Sequence, residues 1–120
     1  GNNTTTESNI PVQVHNLTNV TRIDAGVAYS LALLSDGTIW TWGDGEYGQL
    51  GDGTWTDKKV PVQVNLTGCI NAASGGWHAL ALKSDGTVWA WGSNSGGKLG
   101  DGTTISKNSP VQVDGLNLLD

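Results

Sequence analysis

Ala32-Leu33-Leu34-Ser35-Asp36-Gly37-Thr38-Ile39-Trp40-Thr41-Trp42-Gly43 is the stretch that decides the fold. An apolar run ends in Ser-Asp-Gly-Thr, and a Trp-x-Trp segment follows and stops at glycine. Asp-Gly supplies the positive φ angles of a two-residue hairpin turn, and alternating large residues build one face of a pleated strand. The stretch therefore predicts two short antiparallel strands joined by a tight turn. It returns 49 residues later as Ala81-Leu82-Lys83-Ser84-Asp85-Gly86-Thr87-Val88-Trp89-Ala90-Trp91-Gly92. A period of that length, with a hairpin in each copy, points to a repeat protein made of small β-sheets.

Working outward, residues 20–64 and 69–113 align without gaps and agree at about half of their positions. The identities are turn residues and apolar strand residues, the classes that a fold constrains. The differences gather in Val27-Ala28-Tyr29 against Gly76-Trp77-His78, in residues 44–47 against 93–96, and in residues 55–60 against 104–109. These are loop tips and strand ends, where binding surfaces vary. Four strands are predicted in each copy: Val20–Ala25, Tyr29–Leu34, Thr38–Trp42 and Val60–Val64, then Ile70–Ser74, His78–Lys83, Thr87–Trp91 and Pro110–Val113. Gly48-Gln49-Leu50-Gly51-Asp52-Gly53-Thr54 is too rich in glycine for regular structure and reads as a compact loop with Leu50 pinned inward. No segment keeps helical periodicity over the ten or so residues a helix needs, so the predicted class is all-β.

Pro61-Val62-Gln63-Val64 and Pro110-Val111-Gln112-Val113 have a third copy in Ile10-Pro11-Val12-Gln13-Val14. Proline is confined to edge or first positions of a sheet, so this element reads as an outer strand. The N-terminal copy looks like the tail of a repeat without its body. Gly115-Leu116-Asn117-Leu118-Leu119-Asp120 looks like the opening of another.

Composition narrows the function classes. Of 120 residues only 14% are charged and the net charge is −5, with six basic residues scattered from Arg22 to Lys107. Nucleic acid and anionic membrane surfaces need clustered Lys and Arg, so neither is expected as a partner. The single cysteine, Cys69, has no partner in the chain for a disulfide and no basic sequence neighbour to lower its pKa, so it reads as a small buried hydrophobe. The Thr-, Asn- and Gly-rich surface is of the kind carried by extracellular or cell-surface bacterial arrays. Asn-x-Ser/Thr sequons begin at Asn2, Asn3, Asn16, Asn19 and Asn65.

The combined pattern Leu-Ala-Leu-x-Ser-Asp-Gly-Thr-x-Trp-x-Trp-Gly, then Gly-Gln-Leu-Gly-Asp-Gly-Thr, then Pro-Val-Gln-Val resembles the repeats of the regulator-of-chromosome-condensation family, over residues 10–116. Lys98 departs from the family's glutamine, kept at Gln49, and Tyr29 from its common histidine, kept at His78. The resemblance implies a β-propeller of four-stranded antiparallel blades, about two of them in this chain. It implies a polar, flexible N-terminus over 1–9, an outer strand and linker over 10–19, blades over 20–64 and 65–113, and the start of a further repeat over 114–120. Trp40, Trp42, Trp89 and Trp91 are then expected as inter-blade packing. Two blades leave an apolar face open at each end, so the ring is expected to be completed by a cyclic homo-oligomer or by other parts of a longer chain. The family's founder exchanges nucleotide on a small GTPase; that activity is not expected here, because a fold hosts many functions and no matching loops are present.

Catalysis has little support. His15 and His78 lack metal-ligand spacing. Asp36 and Asp85 sit where Asp side chains cap turn amides. Asp52-Gly53-Thr54 and Asp101-Gly102-Thr103 lack the alternating acidic ladder of a calcium loop. No cofactor or metal is expected. Tyr47, Trp55, Trp77 and His78 fall where the copies diverge and are the candidate ligand or partner contacts. The reading is a non-enzymatic scaffold that binds a protein partner or itself, with a lectin-like, glycan-binding propeller as the alternative.

Overall fold

The structure, a computed structural model, describes residues 1–118. Its strands form two four-stranded antiparallel sheets. The first contains β1 (Val20–Ala25), β2 (Tyr29–Leu34), β3 (Ile39–Gly43) and β4 (Lys58–Gln63) in chain order. The second contains β5 (Cys69–Ser74), β6 (His78–Lys83), β7 (Thr87–Gly92) and β8 (Lys107–Asn117). Within each sheet every strand pairs with its neighbours in the chain, so each sheet has the form of a propeller blade, and the two do not close into a ring. The sequence places most strands within two residues of these bounds. β8 is much longer than the expected Pro110–Val113, because Thr87 pairs with Asn117 and the Leu118 N–H donates to the Gly86 carbonyl (2.8 Å). A single 3-10 turn, Ser95–Gly97, interrupts the β7–β8 loop where none was expected. Ile10–Val14 is not a strand, for none lies alongside it among the described residues. Residues 119–120, the end of the expected further repeat, lie outside the described residues.

The hairpin turn has three residues rather than two. Gly37 takes φ 82°, while Asp36 stays at negative φ. The Gly37 N–H donates to the Leu34 carbonyl (3.0 Å), and the Leu34 N–H to the Thr38 carbonyl (2.9 Å). This is a tight turn followed by a glycine bulge. The Asp36 carboxylate fixes it by accepting from Thr38 Oγ1 (2.6 Å) and the Thr38 N–H (3.0 Å), bonds that hold its pKa below the usual range. Asp85 and Thr87 repeat the device.

Side chains alternate along the strands, and the two faces of a blade differ in kind. Tyr29, Leu31, Leu33 and Ile39 of the first blade face the second. The second blade meets them with Ala72, Ala79, Ala81 and Trp91. Small residues on β5 and β6 leave room for the leucines, and Trp91 fills the remaining depth. Leu31, Ile39, Leu50 and Trp91 are completely buried. Leu50 is pinned inward as expected, and Thr41 Oγ1 donates to its carbonyl (2.6 Å). Gly51 beside it presses on the indole: a Cβ there would lie 2.8 Å from Cδ1 and Nε1 of Trp91. Cys69 is buried in the same core, and burial pushes its thiol up to about 11. Lys83 does stand near it in space, but its charge is outweighed by desolvation.

Trp91→Ala removes the largest fully buried side chain and its hydrogen bond. It is expected to cost about 3–5 kcal/mol in urea unfolding. Trp40→Ala, on the half-buried opposite face, is expected to cost less than half as much.

Candidate functional site

The segments that differ most between the two copies share one end of the blades. β1 ends and β2 begins there, as β3 ends and β4 begins, and the second blade repeats the arrangement. Residues 26–28, 44–57, 75–77 and 93–106 therefore border one surface. Tyr47 from the first blade and Trp77 from the second meet on it edge to face, with ring centroids 5.5 Å apart at 65°. An edge-to-face pair places the positive rim of one ring on the negative face of the other.

Backbone contacts hold both rings in place. The Tyr47 N–H donates to Gln49 Oε1 (2.8 Å). Gln49 is itself fully buried, and its carbonyl accepts from Trp91 Nε1 (3.0 Å). The Trp77 carbonyl accepts from the Ser93 N–H (2.8 Å). The β3–β4 loop carries Asp44, Glu46 and Asp57 around Tyr47; the first and last of these accept from the Glu46 and Gly45 N–H groups (both 3.0 Å). The first blade's part of the rim is thus acidic, while Lys98 on the second blade's loop lies near enough to His78 to act on its charge.

Beneath the pair, polar bonds cross from blade to blade. Arg22 Nε donates to the Ala72 carbonyl (2.8 Å), and the Ser74 N–H donates to Asp24 Oδ2 (2.9 Å). The Val27 N–H donates to the Gly76 carbonyl (3.0 Å). Tyr29 Oη reaches the Gly75 carbonyl (3.3 Å) and the His78 carbonyl, and burial pushes its hydroxyl up to about 12. The Ser74 and Ala25 N–H groups hold the Asp24 carboxyl below its ordinary range.

Of the sequence candidates, Tyr47 and Trp77 are brought together, and His78 adjoins Trp77 in the chain. Its ring lies on Gly75, as that of Tyr29 lies on Gly26. Burial, with a smaller push from Lys98, keeps its pKa below the ordinary value, and Nδ1 is buried without a partner. Trp55 sits half exposed on the β3–β4 loop and makes no ring contact with the other two. Trp91 lies between the blades with Trp89 beside it, while Trp40 and Trp42 lie on the face of the first blade turned away from the second. Asp52 and Asp101 accept from Thr54 and Thr103 within their own loops and pair with Lys58 (3.5 Å) and Lys107 (2.8 Å). His15 is exposed, against Asn16. Sequence reasoning missed Arg22, Asp24 and Gln49 as junction residues. The signal was available in their replacement by Asn71, Ala73 and Lys98 in the second copy.

Two models of the regulator of chromosome condensation (RCC1) repeat match the chain, one over residues 36–82 and 85–118, the other over 20–49 and 70–98. The chain belongs to the RCC1 repeat family. Human E3 ubiquitin-protein ligase HERC2 is 49% identical over 45 residues, 37% of this chain and 1% of that protein. Ultraviolet-B receptor UVR8 from Arabidopsis thaliana is 44% identical over 46 residues, 38% of this chain and 10% of that one. Among solved structures, Prp20p from Saccharomyces cerevisiae, a protein with binding properties to Gsp1p and histones, superimposes with TM-score 0.74 at 20% identity. The overlap covers 86% of this chain and 27% of that one, and at this identity it speaks for the fold alone. Human WBSCR16 gives TM-score 0.64 at 29% identity, over 78% of this chain and 25% of that one. The chain thus spans a small part of each relative. These relatives give no support to the carbohydrate-binding alternative.

Tyr29→Phe removes the one hydroxyl proton shared between the Gly75 and His78 carbonyls, the latter keeping the Gly75 N–H, and is expected to cost about 1 kcal/mol in urea unfolding. The lowered pKa of Asp24 makes its contribution complete above the ordinary carboxyl value of 3.8 and lost as pH falls through the folded-state value. Asp24→Asn should therefore remove one share of the stability lost below pH 3.8 and leave the shares of Asp36, Asp85 and Asp101, a difference read from urea unfolding of the two chains across that range.

Proposed function

We propose that the chain is a protein-interaction module that recognises its partner with the divergent loop end of its blades. The supporting observation is the Tyr47–Trp77 pair, contributed by two different blades at the positions where the copies differ. Tyr47 is 44% exposed and Trp55, on the same loop, 50% exposed. Tyrosine and tryptophan give large contact area for little lost rotamer freedom, which is why such residues anchor interfaces. Asp44 and Glu46 flank them, so a partner segment carrying basic residues beside an apolar one fits the charge of the rim.

Family likeness supports the same class of function. The structure of Prp20p bound to Kap60 and the binding of Prp20p to Gsp1p and histones are protein associations of an RCC1-type fold. The carboxylates of Asp36, Asp85, Asp52 and Asp101 are occupied by turn bonds, which favours a non-enzymatic reading. Nucleotide exchange is not proposed, and HERC2's ligase activity is not carried over from one repeat.

Trp77→Ala and Tyr47→Ala are expected to weaken partner binding about tenfold or more each, the effect of losing an anchor of about 1.4 kcal/mol or above. The same variants should leave the free energy of unfolding in urea within about 0.5 kcal/mol of the parent. Surface-immobilised chain and its two variants, compared for captured protein at equal loading, provide the measurement. Capture that survives both substitutions would end this reading.

A further inference from the structure

The sequence contains six Asp-Gly pairs, beginning at Asp36, Asp44, Asp52, Asp85, Asp101 and Asp114. Such a pair can rearrange without an enzyme. The glycine nitrogen attacks Cγ of the preceding aspartic acid, water leaves, and a five-membered imide closes; water then reopens the ring at either carbonyl. Opening at the former backbone carbonyl leaves the chain running through the side-chain carboxyl, which is an isoaspartate. The reaction needs a carboxyl free to turn and take up a proton, and a following residue without a side chain to block its nitrogen.

Five of the six pairs are held against it. Asp36 and Asp85 each accept from the N–H and the hydroxyl of the threonine two residues on (3.0 and 2.6 Å in both). The Gly37 and Gly86 N–H groups that would attack donate to the Leu34 and Lys83 carbonyls (3.0 Å each). Asp52 accepts from Thr54 and pairs with Lys58, while the Gly53 N–H donates to the Asn108 carbonyl (2.8 Å). Asp101 has both oxygens engaged, Oδ1 by Thr103 and Asn94 Nδ2 (3.2 Å) and Oδ2 by Lys107 (2.8 Å). At Asp44 the carboxylate accepts from the Glu46 N–H, and the Gly45 nitrogen is itself bound to Asp57 Oδ1 (both 3.0 Å). Charge-assisted bonds of this kind fix a carboxylate in place.

Asp114-Gly115 is built differently. Trp89 pairs with Gln112 and Thr87 with Asn117, so Val88 alone faces residues 113–116, which bulge off the ladder. Asp114 and Gly115 are both exposed, and a Cβ on Gly115 would meet nothing within 4 Å. The Asp114 N–H anchors the bulge on the Gly100 carbonyl (2.8 Å), but its carboxylate accepts no hydrogen bond among the described residues. That placement belongs to the repeat. The counterpart Asn65 is exposed too, over Gly53 as Asp114 lies over Gly102, and its N–H donates to the Gly51 carbonyl (3.2 Å). The Leu118 N–H on the Gly86 carbonyl (2.8 Å) likewise matches the Cys69 N–H on that of Gly37 (2.9 Å). In the first copy, however, Leu66 follows Asn65, and its side chain hinders ring closure; the second copy sets an unbound carboxyl before glycine.

The geometry points to Asp114-Gly115 as the bond at which the folded chain forms isoaspartate. The product carries one more methylene in its backbone and a free α-carboxylate. The methylene falls between the two anchors of the segment, the Asp114 N–H on Gly100 and the Leu118 N–H on Gly86, so it lengthens the bulge without breaking either bond.

Ageing the chain at neutral pH in water enriched in oxygen-18 tests this, because each opening of the imide takes one oxygen from water. Trypsin cleaves after Lys107 and isolates Asp114 in a peptide with no other Asp-Gly pair. Chromatography and fragmentation then separate isoaspartate from aspartate at each site. In the folded chain Asp114 is expected to gain label and isoaspartate at least about tenfold faster than any of the other five, the factor that one charge-assisted hydrogen bond supplies. In guanidinium chloride, which releases the other carboxylates, all six pairs should age at comparable rates. A folded chain in which Asp114 stays unchanged, or in which another pair leads, would overturn the proposal. So would a lead of Asp114 that persists in guanidinium chloride, which would assign its reactivity to the local sequence and not to the fold.

Discussion

A buried indole N–H must find an acceptor, and Trp91 finds one outside its own blade, in the Gln49 carbonyl. That bond has consequences on both sides. It requires the β3–β4 loop to bring Gln49 to the bottom of the junction, which Leu50 achieves by being buried with it. It also requires Gly51 to pass so near the ring that no side chain fits. The loop that looks irregular in the sequence is therefore the part of the first blade most strictly shaped by the second.

Around that bond the two blades are unequal versions of one plan. A blade offers leucines and an aromatic hydroxyl on one face, alanines and tryptophan on the other, and the internal junction joins unlike faces. At this junction the polar bonds are made by Arg22, Asp24 and Tyr29. Their counterparts Asn71, Ala73 and His78 carry less charge and a different ring. The face turned outward from the second blade is thus chemically its own, although its leucines keep the register. The same divergence, continued into the loops, sets Tyr47 against Trp77 at the rim.

The fold was legible because duplication repeats what packing demands. Ser-Asp-Gly-Thr and Trp-x-Trp-Gly recur since a turn and a buried ring tolerate little else, and the strands around them fell near their observed bounds. The outer strand was harder. β8 extends past Asp114 because its later residues pair with the start of β7, a contact between distant positions that local pattern does not encode. Ile10–Val14 has the residues of a strand but lacks a neighbour to share its amides, and strand propensity without a partner makes no strand. The hairpin was read one residue too short because Asp36 uses its side chain, not its own φ, to shape the turn. For the site, divergence between copies singled out Tyr47 and Trp77, yet it could not show that they touch. The roles of Arg22 and Asp24 were harder to read because their acceptor and donor are backbone groups, so replacement by Asn71 and Ala73 marks a difference without naming the group each one meets.

The family matches are out of phase with the blades. One runs from Asp36, in the first hairpin turn, to Leu82, near the end of β6. A unit so bounded contains half of one sheet and half of the next, including the bond from the Cys69 N–H to the Gly37 carbonyl (2.9 Å) and the packing of Ile39 and Leu50 against Ala79 and Ala81. Gene duplication of that unit would copy part of a seam with half of each sheet, while Tyr29, Leu31 and Leu33, on the first blade's side of the same seam, lie outside it. An array lengthened by one such unit would set each new half-seam against leucines already in the chain, so the register of the junction would carry over while its polar residues stayed free to differ, as Arg22, Asp24 and Tyr29 do from Asn71, Ala73 and His78.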